Sequence, residues 1–166
     1  MEHISAAFRS QYRASLSMLR NSIAACPDAV WNDRSYGNRF WHIAYHALYF
    51  TALYLSPSSE AAVLWNKSRP WYHSLGKWSG APDYDPDQNI PYTKYDLYEL
   101  ADFVLSRLDV AFDEVSMDAP SGFSWISFDK FQLHIYNLRH LEHHTGQLTE
   151  RIKQTTGIGI AWVGKG

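Results

Sequence analysis

From Phe131 to Ile152 core-type residues return at alternating three- and four-residue steps, as Phe131, His134, Leu138, Leu141, Thr145, Leu148 and Ile152. A strand sends successive side chains to opposite faces and cannot use such spacing, whereas a helix gathers it into one stripe. A stripe sustained for three heptads has to be covered by other helices, so it predicts the seam of a bundle. The helix is expected from Phe128 or Asp129 to Thr155, with Gly157 as its stop.

Three other stretches supply partners. Ile4, Phe8, Tyr12, Leu16, Leu19 and Ile23 mark a helix from about Ile4 to Ala25, ended by Pro27. A second is expected from Asn38, as N-cap, to Leu55; it is apolar nearly all round, as in a helix buried on most sides. A third runs from near Thr93 to near Met117, with Leu97, Leu100, Val104, Leu108, Ala111 and Val115 on one face. Asp96, three residues after Thr93, is a near match to a capping box. The expectation is an all-α four-helix bundle in one domain spanning residues 1–166. The 37 residues from Ser56 to Tyr92 exceed an ordinary bundle loop and hold Trp65, Trp71, Tyr72, His73 and Trp78. A crossover between parallel neighbours and a flap walling a pocket both fit that length.

Composition narrows the function. A net charge of −2 gives no broad basic surface, so nucleic acid is not an expected partner. The most apolar run, Phe40 to Leu55, is too short to span a bilayer comfortably, and the amino-terminal stretch lacks a secretory signal's apolar core. A single cysteine, Cys26, leaves no internal disulfide and fits a reduced, cytoplasmic protein. Asp83, Asp85 and Asp87 lack the glycine and closing glutamate of a calcium loop.

Eight histidines remain, and position separates them. His140 and His144 lie four apart on one helix face, within reach of a common ion. At about 100° per residue both flank the seam on the same side, while His143 faces away toward solvent. The second helix offers His42 and His46 at the same spacing. Several buried imidazoles need partners, and a divalent ion is the simplest shared one; the alternative is hydrogen bonding to Tyr45, Tyr49 or Asn137. Neutral imidazole suits Zn, Ni, Cu and Fe alike.

The stretch LRHLEHHTGQL, residues 138–148, resembles the last-helix signature of the DinB-like (DinB/YfiT-type) superfamily. FWHIAYHALYFTALYLS, residues 40–56, resembles the second-helix segment that supplies that family's third histidine. The resemblance implies an up-down-down-up bundle with a long crossover between its second and third helices. It implies a divalent metal, Zn or Ni first, on His46, His140 and His144, with His42 the alternative to His46. It further implies a homodimer and a metal-dependent transferase or hydrolase acting on a small molecule or thiol. Gln147 and Tyr45 are candidates for orienting the bound group. A binding or stress-response bundle that holds a ligand without turning it over, and a purely structural metal, are the competing readings.

Overall fold

The structure, a computed structural model, describes residues 2–77, 80–113 and 116–166, so Trp78 and Val115 lie outside the described residues. It is all-helical, with α1 Glu2–Ala25, α2 Asp28–Trp31, α3 Phe40–Tyr54, α4 Lys94–Val110 and α5 Lys130–Thr156. None of the described helices is long and apolar enough to cross a membrane.

The apolar stripes form the core. Tyr12, Leu19 and Ile23 of α1, Leu97, Val104 and Leu108 of α4, and Leu141, Leu148 and Ile152 of α5 are all inaccessible to solvent. α3 contributes Phe40, Trp41, Ala44, Tyr45, Ala47 and Leu48 to the same core, as its nearly unbroken apolar sequence requires. It packs against both α4 and α5, and α1 covers those same two helices from the other side. Arg9 and Arg20 of α1 pair with Asp113, just beyond α4, and Asp102 within it, so α1 and α4 run antiparallel. Asn137 of α5 donates to the Thr51 carbonyl of α3, and Arg151, further along α5, donates to the Asn38 carbonyl before α3 begins; these two are antiparallel as well.

The ends of the helices differ from expectation in two places. Arg39, not Asn38, is the N-cap of α3, with extended backbone and no side-chain cap. Its guanidinium is buried and reaches instead to the Pro86 carbonyl and the Asp87 carboxylate. α4 stops at Val110 rather than near Met117. The apolar residues past that point leave the helix to fill the core: Phe112 stacks on Phe8 at 5.8 Å and lies 4.5 Å from the His134 ring. The start of α4 has the expected box, Thr93 accepting from the Asp96 backbone and Asp96 from the Thr93 backbone. Gly157, at φ 74°, ends α5.

Between α3 and α4 the aromatics divide. Trp65, buried in the core, and Tyr72, half-buried against it, turn inward onto Tyr92, at 5.5 and 5.7 Å. Trp71 and His73 remain at the surface of the bundle, where they line cavities. Asp85 accepts from the Asp87 backbone to cap a short 3-10 turn, Pro86–Gln88.

Candidate metal centre

Antiparallel packing of α3 on α5 sets His46 opposite the His140/His144 face. One ring nitrogen from each of the three lies within 4.8 Å of the other two, an arrangement that could hold a metal ion. His46 Nε2 and His140 Nε2 are 3.0 Å apart, and the ring centroids of the three pairs are 4.6 to 4.9 Å apart.

Hydrogen bonds orient two of the rings. A carbonyl can only accept, so His46 donates through Nδ1–H to the His73 carbonyl at 2.6 Å and keeps Nε2 as a lone pair. Gln147 Oε1 sits 2.9 Å from His144 Nδ1, which fixes the same tautomer there, while the Gln147 amide nitrogen lies 3.2 Å from His143 Nε2. Both arrangements are the outer-shell support that metal-binding imidazoles use. His140 Nδ1 is buried and has no hydrogen-bond partner among the described residues. Such an orphan costs roughly 1–3 kcal/mol in a fold.

Burial keeps the donors neutral. Desolvation pushes His46 down to about 3 and His140 down to about 4, and lowers His144 from its ordinary value. The neighbouring imidazoles, which would repel one another once charged, act in the same direction. Three uncharged imidazoles converging from two helices suit a divalent transition-metal ion, and a fourth protein ligand is absent from the cluster among the described residues.

The other candidates fall elsewhere. His42 is buried, stacked on Trp41 at 4.9 Å, and donates through Nε2–H to the Tyr72 carbonyl at 2.7 Å, so that nitrogen is already committed. His143 is exposed, as the helix phase predicts. Tyr45 stacks on Tyr92 at 4.8 Å inside the core, away from the position of a group-orienting residue. Gln147 touches the His144 ring and steadies it, a different task from orienting a bound group.

Two cavities border the cluster. One of about 760 Å³ opens beside His46 and is walled by Tyr49, Phe50, Leu53, Leu75 and Trp125. The other, about 450 Å³, reaches His144 and Gln147 and includes Arg151 and Glu150; Leu75 borders both. The periodicity pointed to neither the His73 carbonyl nor Trp125. The first is a backbone atom, and the second lies between α4 and α5, where no repeating pattern exists to place it.

No family model matches the chain, and neither the curated proteins nor the solved structures yield a match.

Proposed function

We propose that this chain is a metal-binding bundle of the DinB-like kind, with α1, α3, α4 and α5 in up-down-down-up order and a divalent ion, Zn or Ni first, on His46, His140 and His144. The observation that carries the reading is the convergence of the three ring nitrogens within 4.8 Å. The tautomers set by the His73 carbonyl and Gln147 support it, since both leave Nε2 free to coordinate. The antiparallel α1/α4 and α3/α5 pairs are consistent with the proposed helix order.

Three imidazoles leave coordination positions for water or a small thiol, and a bound ion would lower the pKa of either to give a nucleophile near neutral pH. The protein's part is to hold three neutral donors in fixed orientation and to keep a substrate in the cavity beside His46. The reaction class is transfer of that nucleophile to a small electrophile. A second reading, ligand binding without turnover, is favoured by the cavity wall, where the described residues include no carboxylate or lysine and the His73 ring is stacked flat on Tyr49.

Elemental analysis of freshly purified, untagged protein tests the metal directly. About one ion per chain is expected, lost in His46→Ala, His140→Ala and His144→Ala and retained in His42→Ala and His143→Ala. Protein that stays metal-free after incubation with Zn and Ni overturns the proposal.

A further inference from the structure

The cavity beside His46 differs from the rest of the surface in what it offers a ligand. Its wall is built from Tyr49, Phe50, Leu53, Ala62, Leu64 and Trp125, and it contains no charged side chain among the described residues. Both serine hydroxyls in the wall are spent. Ser59 donates its hydroxyl to Glu60, and Ser74 donates its hydroxyl to the Gly76 carbonyl. The His73 ring lies flat on Tyr49, 4.5 Å between centroids and 10° between planes, so it presents a ring face. The His46 end is where the cavity meets the cluster, His46 Nε2 lying 3.0 Å from His140 Nε2.

The mouth repeats this chemistry. Trp125 is 60% exposed and Leu64 41%, two large apolar side chains left facing water at the rim. Exposed apolar surface around a concavity is characteristic of a ligand-binding groove. The volume, about 760 Å³, is in the range that encloses a molecule of drug or cofactor size.

We propose that this cavity binds an uncharged, ring-containing apolar small molecule with a single polar donor atom at one end, its rings between Tyr49 and Trp125 and its donor toward His46. The donor's role rests on the metal reading above; the apolar grip does not. A ligand charged along its apolar body is excluded because that charge would lose its hydration with no counter-charge in the wall.

The first arm uses intact, metal-stripped protein with 2-naphthol as the uncharged probe and naphthalene-2-carboxylate as its charged counterpart, followed by quenching of tryptophan fluorescence. Saturable 2-naphthol binding is expected, with the carboxylate at least about tenfold weaker because its charge must be desolvated. Ala62→Trp fills the cavity and should weaken 2-naphthol at least about tenfold. Leu64→Asp, at an exposed position that tolerates a charge without unfolding, should do the same and decides the matter if Ala62→Trp does not fold. Equal affinity for the two probes, or wild-type affinity in the variants, overturns the proposal. The second arm loads the wild type with Co(II) and adds 2-naphthalenethiol; a sulfur-to-cobalt charge-transfer band is expected. Binding without the band overturns the placement of the donor. Probe binding by protein that never takes up metal would sink the metal reading and leave the apolar grip standing.

Discussion

Gln147 supplies the sharpest test of how the cluster is held. In Gln147→Ala the acceptor 2.9 Å from His144 Nδ1 disappears, and the ring is free to rotate or to change tautomer. Loss of an outer-shell partner costs roughly ten- to a hundredfold in metal affinity. Gln147 is exposed, so water can take the place of its carbonyl, and the low end applies. The expected loss is about tenfold in Kd, or about 1.4 kcal/mol. Gln147→Glu places a carboxylate on the same Nδ1–H, which should return affinity to wild type or better through a charge-assisted bond. Zinc competition against a chromogenic chelator measures all three proteins, with His143→Ala as control because Gln147 also reaches that ring. If Gln147→Ala binds zinc within about twofold of wild type while His144→Ala does not bind it, the outer-shell argument is wrong. Weaker zinc binding by Gln147→Glu than by Gln147→Ala would refute it too.

Three further outcomes concern stability. Gly122 sits at φ 84° and a Cβ there would lie 2.3 Å from the Pro57 carbonyl oxygen, so Gly122→Ala should cost at least about 2 kcal/mol in urea unfolding and loosen the segment carrying Trp125. Leu141, fully buried on α5, should lose about 3 kcal/mol on substitution by Ala, read as a fall in the denaturation midpoint at unchanged m value. Burial holds the His134 imidazole down to about 4, whereas an unfolded histidine titrates near 6.5, so the unfolded chain takes up a proton that the native state resists. His134 therefore leaves stability unchanged well above pH 6.5 and lowers it as pH falls through 6.5 toward 4, by about 2–3 kcal/mol near pH 4.5. His134→Gln should show a correspondingly shallower pH dependence than wild type between pH 7 and 4.5, and an identical slope would refute the assignment.

Much of this was legible in residue spacing. The three–four alternation of α5 placed Leu141, Thr145 and Leu148 in the core and His143 in solvent, because helix geometry alone decides which side chains share a face. It also put His140 and His144 on the side that meets α3. Spacing could not choose between His42 and His46, which are one turn apart on a helix that is apolar all round. That choice depends on how α3 is rotated against α5, a tertiary fact. Nor could spacing end α4 correctly: Ala111, Phe112 and Met117 are apolar because they pack on the bundle end, and hydrophobicity does not distinguish that from one more helical turn. Ile4 and Phe131 follow their stripes but lie at the ends, where the described neighbours leave them 40% and 38% exposed.

His73 belongs to two structures at once. Its carbonyl fixes the tautomer of His46, and its ring forms part of the wall over Tyr49. A displacement of that one peptide would release the imidazole's Nδ1–H and open the chamber in the same motion. On the proposed metal reading, occupancy of the cluster and the position of this segment should therefore be coupled. Metal should slow amide hydrogen exchange around residues 71–75 without touching them, and a molecule filling the chamber should in turn slow the ion's escape.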